Sequence, residues 1–374
     1  MNCQNHYQPD LSLFIFAQKQ ISMSRFHKLT IVSVISLTDK SVVLNFKVPE
    51  ELREVFKFKA GQYITLRTTI NGEEIRRDYS ICASQNSGEL SVAVKSVDNG
   101  IFSVYANKVL KAGDTIEVAE PNGRFIFEPN PQNTRTIAAF AAGSGITPIL
   151  SIAKTLLEDE PFSNFILVYG NKTPQDTMFS EDLMALKDNY GNRIHIHFIY
   201  SQSNEPDALF GRIEKSTVNL IVKNKYKDIT IDKFYLCGPE PMINTVKDVL
   251  IENNVKENNI LFELFTAPVE TETQDENTTT EGMTAIKVLV DDEEFEFEMA
   301  QDQTILEAAL KQDIDAPYSC QGGICSSCIA KLTEGTAKMR QNNILTDSEV
   351  AEGLILTCQA QPTSSQIIVD YDDV

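Results

Sequence analysis

The stretch CQGGICSSC, residues 320–328, places three of the chain's seven cysteines within nine positions. Cys320, Cys325 and Cys328 stand in the spacing C-x4-C-x2-C, and Cys358 follows after a gap of 29 residues. Two irons bridged by sulfide need two thiolates each, and this spacing supplies four, so a [2Fe–2S] cluster is expected on Cys320, Cys325, Cys328 and Cys358. Gly322 and Gly323 allow a tight loop whose backbone N–H groups can point at sulfur. A zinc site more often pairs two C-x2-C knuckles, and the four-residue gap with one distant cysteine fits that poorly. Disulfides need an oxidising compartment, which nothing in the sequence supports.

Working outward, 374 residues are too many for one ordinary core, so two or three domains are expected. No apolar run is long enough to cross a bilayer. The apolar LSLFIFA (11–17) has no basic residue ahead of it, unlike a secretory signal. Residues 1–24 are therefore expected to be a leader or disordered segment, and the protein to be cytoplasmic. The formal charge is −20, and residues 281–374 hold 18 acidic against 5 basic residues. Such a balance disfavours nucleic acid and anionic membranes as partners. It suits steering towards a basic protein surface.

The segment PVETETQDENTTTEG (268–282) carries acids and threonines with no base, and predicts an extended linker over 269–282. Upstream, HKLTIVSVIS, SVVLNFKV, GQYITLRTTI, RRDYSICAS, ELSVAVKSV and DTIEVAE are β-rich runs punctuated by Gly, Pro, Asn and Asp. They predict an antiparallel β-barrel domain over 25–130, interrupted by one helix from Phe102 to Leu110. From Thr136 buried-strand text such as TIAAFAA alternates with helical text. Ile149, Ile152, Ala153, Leu156 and Leu157 share one helical face. This predicts an α/β, doubly wound parallel sheet over 131–268. Residues 283–374 open with two strand-like runs and a short helix, an α+β domain.

Residues 284–374, with TILEAALKQDIDAPYSCQGGICSSC and LTCQA, resemble plant-type ferredoxins, which implies a β-grasp fold. Upstream, RDYS (77–80), GIFS (100–103), PNGRF (121–125), GSGITP (143–148), CGPEPM (237–242) and FELF (262–265) occur in order. Together they resemble the motifs of the ferredoxin–NADP reductase superfamily. The resemblance implies FAD held by Arg77, Asp78, Tyr79 and Ser80, with Gly100 and Ser103 at the N-terminus of the lone helix. It implies a nicotinamide nucleotide on Gly143, Gly145, Thr147 and Pro148, with Cys237, Gly238 and Pro239 on the opposite side. Hydride transfer would be oriented by Ser80, Thr147, Cys237 and Phe265, the last covering the flavin until nicotinamide displaces it. For Cys237 the alternative is a buried thiol, and for Phe265 a core position. Relatives that use NADP often carry a Ser-Arg pair where this chain has Ser201 and Gln202. Lys172 or Arg212 would then meet the 2′-phosphate, so either NADPH or NADH is expected.

The whole pattern resembles the oxygenase reductases of that superfamily. It implies electrons passing from NAD(P)H through FAD and the cluster to an oxygenase component. A reductase for another acceptor is the near alternative. An iron–sulfur redox sensor is the distant one, and would need no intact hydride-transfer site. The tethered ferredoxin domain is expected to swing between flavin and partner, with Asp370, Asp372 and Asp373 either a docking patch or only a solvated tail. His195 and His197 alternate in a strand without further ligands nearby and are expected to be structural.

Overall fold

The computed structural model describes residues 26–265 and 282–374. The expected leader, Cys3 and the expected linker except Gly282 lie outside the described residues.

Six strands form the first sheet: β1 (Phe26–Thr38), β2 (Ser41–Lys47), β3 (Tyr63–Ile70), β4 (Glu73–Ser80), β5 (Leu90–Lys95) and β6 (Thr115–Ala119). In β1, Leu29 and Ile31 are fully buried while Lys28, Thr30 and Val32 face solvent, the two-residue period of a half-covered sheet. Asn71 and Gly72 join β3 to β4 with φ of 55° and 89°, as a tight hairpin turn demands. All pairings are antiparallel, in the order β4-β3-β6-β1-β2-β5. An Ile81–Val92 bridge brings the two ends together and curls the sheet into the expected barrel. The lone helix, α1 (Ile101–Lys108), begins one residue before the expected start and stops two before the expected end. Leu110 leaves it to turn into the barrel core.

The second sheet is wholly parallel. Its strands are β7 (Thr136–Ala142), β8 (Asn164–Asn171), β9 (Ile194–Tyr200), β10 (Leu209–Phe210), β11 (Lys233–Gly238) and β12 (Ile260–Leu264). Helices α2 (Ile146–Asp159), α3 (Ser180–Tyr190), α4 (Lys215–Asn219) and α5 (Glu240–Glu252) connect or flank them. The near-continuous burial of β7 reflects a strand covered on both faces. The expected apolar stripe of α2 is buried. Strand order is β10-β9-β8-β7-β11-β12, so the chain changes direction between β7 and β11. A doubly wound sheet receives its ligand at the carboxyl ends of such strands.

The third sheet contains β13 (Met283–Val290), β14 (Glu293–Ala300), β15 (Ile329–Glu334), β17 (Leu354–Leu356) and β19 (Gln366–Asp370). A separate ribbon pairs β16 (Ala337–Met339) with β18 (Ala360–Pro362). The order β14-β13-β19-β15-β17, with β13 parallel to β19, is the β-grasp arrangement. Helix α6 (Ile305–Lys311) starts at Thr304, whose hydroxyl and Glu307 exchange reciprocal capping bonds. Helix α7 (Asp347–Ala351) is capped the same way by Thr346 and Glu349.

The three units share surfaces. Phe125 and Phe127 of the barrel side pack into the core formed by α2 and Tyr235. The ferredoxin domain is seated against both others, with Ile324 of its cysteine loop buried in the core that holds Met242 and Leu264. The acids expected to form a docking patch or a solvated tail have other work. Asp370 accepts from the N–H groups of Asp372 and Asp373, Asp372 accepts from those of Asp291 and Asp292, and Asp373 pairs with Lys331 at 2.6 Å. Asp372 thus fastens the C-terminus to the β13–β14 turn and Asp373 fastens it to β15. The exposed acids that run along an edge are instead on β14.

Candidate active site

The four expected cluster ligands converge as two pairs. The thiol of Cys325 and the N–H groups of Ile324, Gly322 and Cys325 point at the Cys320 sulfur, pulling its pKa down to about 6 against the cost of burial. The Cys328 thiol does the same for Cys358, whose pKa also falls. Among the described residues, none of the cysteines is in a disulfide. No three potential ligands close on a single metal position there either. Two thiol pairs rather than one four-sided nest fit a binuclear cluster and not a lone zinc.

A cleft of about 520 Å³ opens between the barrel, the β7–α2 turn and the cysteine loop. Arg77, Tyr79, Ser80, Gly100, Ser103 and Thr147 line it, as the sequence predicts, together with Phe265. Cys320 and Cys325 reach its wall from the ferredoxin side. Arg77 is exposed, and its guanidinium is steadied by the Arg76 carbonyl at 2.6 Å. It is free to meet a diphosphate. The Ser103 hydroxyl accepts from the Val97 N–H at 3.2 Å and orders the entry to α1, whose first N–H groups have no partner within the helix. These features fit a flavin.

Gly143, Gly145 and Pro148 form the turn and first residues of α2. A side chain at Gly145 would collide with the Cys237 carbonyl, so the turn can lie this close to β11 only with glycine there. Thr147 donates to the Ser144 carbonyl at 3.0 Å. Gly238, at the end of β11, lies directly against Gly145, and Pro239 leads into α5; neither lines the cleft. Cys237 itself is fully buried, does not line the cleft, and has its thiol pushed well above the ordinary range by burial. That placement suits the buried-thiol alternative. Lys172, Ser201 and Arg212 gather at the carboxyl ends of β8, β9 and β10, where the Ser201 and Gln202 N–H groups donate to Asn171 and Lys172. Lys172 and Arg212 are exposed. His197 bonds the Tyr226 hydroxyl at 2.8 Å and burial lowers its pKa to about 4, a structural histidine.

Among the cleft residues that escape sequence reasoning are two ionisable ones. Lys95 lines it, half-buried, with its pKa lowered by burial. Glu263 is two residues before Phe265, half-buried in the cleft wall, and accepts from the Ser80 hydroxyl at 3.2 Å. Burial, opposed by that bond, lifts its carboxyl to about 8. A carboxyl that is still protonated at neutral pH beside Ser80 is a proton holder facing the cleft. A charged residue inside an otherwise apolar strand was the signal that could have found it.

Asp78 also differs from expectation. It lines the cleft, but its carboxylate accepts from Thr65 and from Ser327 of the cysteine loop, both at 2.6 Å. Alternate side chains of β4 thus reach three places. Arg76 bonds Asp315 at 2.7 Å, Asp78 bonds Ser327, and Ser80 bonds Glu263.

Three family models match the chain: an oxidoreductase FAD-binding domain over residues 28–127, an oxidoreductase NAD-binding domain over 140–248, and a 2Fe-2S iron-sulfur cluster binding domain over 288–363. The chain is 39% identical, over 94% of its length and 99% of the relative's, to one of the subunits of 1,2-phenylacetyl-CoA epoxidase from Escherichia coli (strain K12). The chain belongs to the flavin and iron–sulfur oxygenase reductases. This reductase is an NAD(P)H-dependent oxidoreductase that moves electrons through FAD to a [2Fe–2S] cluster. It is 29% identical, over 93% of its length and 97% of the relative's, to the ferredoxin reductase component of 3-ketosteroid-9-alpha-monooxygenase from Rhodococcus rhodochrous. Its fold matches the solved phthalate dioxygenase reductase with a TM-score of 0.59 at 24% identity, covering 92% of this chain and 98% of that one. No helix among the described residues is long and apolar enough to cross a membrane.

Two outcomes follow from this geometry. Cys325→Ser should abolish the cluster's visible absorption and iron content while retaining flavin and NAD(P)H-driven ferricyanide reduction. Zinc in place of iron in anaerobically prepared protein would refute the cluster assignment. The raised Glu263 pKa makes its stabilising share complete below the ordinary glutamate range and lost as pH rises through about 8. Wild-type Tm should therefore fall between pH 6 and pH 9 more steeply than that of Glu263→Gln. The flavin-reduction rate should lose its alkaline break in the same variant.

Proposed function

We propose that this reductase delivers electrons from NADPH or NADH to the oxygenase component of a phenylacetyl-CoA epoxidase. The observation that carries the reading is the near full-length 39% identity to a polypeptide of that enzyme. The order barrel, nucleotide domain, C-terminal ferredoxin domain supports it.

When bound, the flavin supplies the conversion of a two-electron hydride into single electrons. The chain's own residues do the rest. Arg77 and the first N–H groups of α1 would neutralise the flavin diphosphate, and Tyr79, packed 5.4 Å from Phe102, would flank the ring system. The turn over Gly143–Gly145 and the N-terminus of α2 would receive the pyrophosphate of the nicotinamide nucleotide. Phe265 would cover the cleft and yield to the nicotinamide, with Thr147 below it. Ser80 and Glu263 would hold a proton at the hydroxyl and carboxyl that face the reacting ring. Lys172 or Arg212 would meet a 2′-phosphate at the carboxyl edge of the sheet.

Exposed acids that a basic partner would meet along β14 are Glu293, Glu296 and Glu298, while Glu294 is ion-paired to Lys287. Charge-steered docking weakens as salt rises, because screening shortens its range to about 8 Å at physiological ionic strength.

Two measurements check this reading. Lys172→Ala or Arg212→Ala should lower kcat/KM for NADPH by about tenfold, the weight of one charge-assisted contact, with little change for NADH. Equal losses for both nucleotides in both variants would remove the phosphate contact. Reconstitution with the purified oxygenase component of phenylacetyl-CoA epoxidase should give NAD(P)H-dependent epoxide, with turnover falling as salt is added. Full cluster reduction without epoxide at any salt concentration would assign the reductase to another acceptor.

A further inference from the structure

The cysteine loop is held to the flavin barrel by a set of contacts that the hydride chemistry does not use. The Asp78 carboxylate accepts from the Ser327 hydroxyl at 2.6 Å, and the Asp78 N–H donates to the Ser319 hydroxyl at 3.0 Å. The Tyr63 hydroxyl lies 3.0 Å from both Ser326 and Ser327. These serines sit directly beside the cluster ligands, Ser319 next to Cys320, Ser326 next to Cys325 and Ser327 next to Cys328. On the other side of the loop, Ile324 is 7% exposed and packed in the nucleotide-domain core. Further out, Arg76 is 7% exposed, ion-paired to Asp315 and stacked over Tyr318, and Arg124 pairs with Glu349.

From this arrangement we infer that Asp78 and Tyr63 are positioning residues for the electron step inside the protein: they seat the cluster loop against the flavin cleft through Ser319, Ser326 and Ser327. In the step they would serve, the bound reduced flavin would give up one electron and one Fe(III) of the cluster would take it to become Fe(II), with a flavin proton leaving to solvent. A second such step follows once a one-electron acceptor has reoxidised the cluster. Electron tunnelling weakens exponentially with separation, so a loop that lifts from the barrel slows this step without touching hydride transfer. The serines matter because they are neighbours of the ligands: a bond to Ser327 restrains Cys328 through one peptide unit. Asp78 is the centre of the set. Its two carboxylate oxygens tie the cysteine loop to β3 through Thr65, while its backbone belongs to the strand that carries Arg77 and Tyr79. Flavin site and cluster loop are therefore referred to one strand. The inference rests on the flavin and cluster assignments and is independent of which oxygenase takes the electron.

The test uses holoprotein of Ser327→Ala, Tyr63→Phe, Asp78→Ala and Asp78→Asn, mixed anaerobically with NAD(P)H and followed at flavin and cluster wavelengths. In Ser327→Ala the flavin phase should keep its rate, and the cluster phase should slow by roughly tenfold, the weight of one hydrogen bond to a charged group. Asp78→Ala should slow the cluster phase further, and Asp78→Asn, which retains an acceptor oxygen for Ser327, should recover most of it. Amide hydrogen exchange of residues 319–328 in the oxidised proteins, without nucleotide, should quicken in the order of the kinetic losses. Unchanged cluster kinetics in both Ser327→Ala and Asp78→Ala would overturn the inference. So would faster exchange without slower cluster reduction, or an Asp78→Ala effect confined to the flavin phase. Should Asp78→Ala fail to fold, Ser327→Ala alone decides, since it removes the same bond from the ferredoxin side.

Discussion

Strand β4 is the constraint on which the rest of this molecule depends. A pleated strand sends alternate side chains to the same face about 7 Å apart. Here Arg76, Asp78 and Ser80 use that face to reach the ferredoxin domain, the cysteine loop and the nucleotide domain in turn. Arg77 and Tyr79, one residue out of phase, line the flavin cleft, which Asp78 and Ser80 also border. Five consecutive residues thus touch every part of the electron path. A one-residue slip of the β3–β4 hairpin would exchange the two sets of side chains, so the tight Asn71–Gly72 turn that sets the register also sets the chemistry.

The cysteine loop obeys a related economy. It must present sulfur to two irons, hold backbone N–H groups towards that sulfur, and still offer a surface to a neighbour. Gly322 and Gly323 meet the first demand by keeping side chains away. Ile324 and the serines meet the last, an apolar side chain on one flank and hydroxyls on the other. The result is a cluster site whose walls are partly borrowed from the two domains that feed it.

Much of this was legible in the sequence. The cysteine spacing, the alternation of the barrel strands and the helical stripe from Ile149 to Leu157 each encode a local period or a ligand count, and such signals survive in one dimension. The ordered motifs placed Arg77, Tyr79, Ser80, Thr147 and Phe265 on a common cleft. What could not be read were contacts between distant segments. Asp78 meets a serine 249 positions away, and Glu263 owes its raised pKa to burial beside Ser80, 183 positions earlier. Such pairings have no signature in local text, although the lone acid in the apolar strand ILFEL marks Glu263 as unusual. The C-terminal acids were ambiguous for the opposite reason: a run of charge reads as a patch or as a solvated tail until the backbone donors it satisfies are known.

The acidic edge of the last domain carries a consequence outside catalysis. Strand β14 ends the third sheet, and among the described residues no strand neighbours its outer row of backbone groups. Its sequence, with Glu294, Glu296 and Glu298 exposed and Phe295 and Phe297 turned towards the core, would otherwise be an open template for another chain. Two such edges brought together would stack like charges along their whole length, which discourages sheet-to-sheet association. The same glutamates favour a surface of opposite sign on this flank, so the feature that would discourage edge pairing also narrows what can settle there.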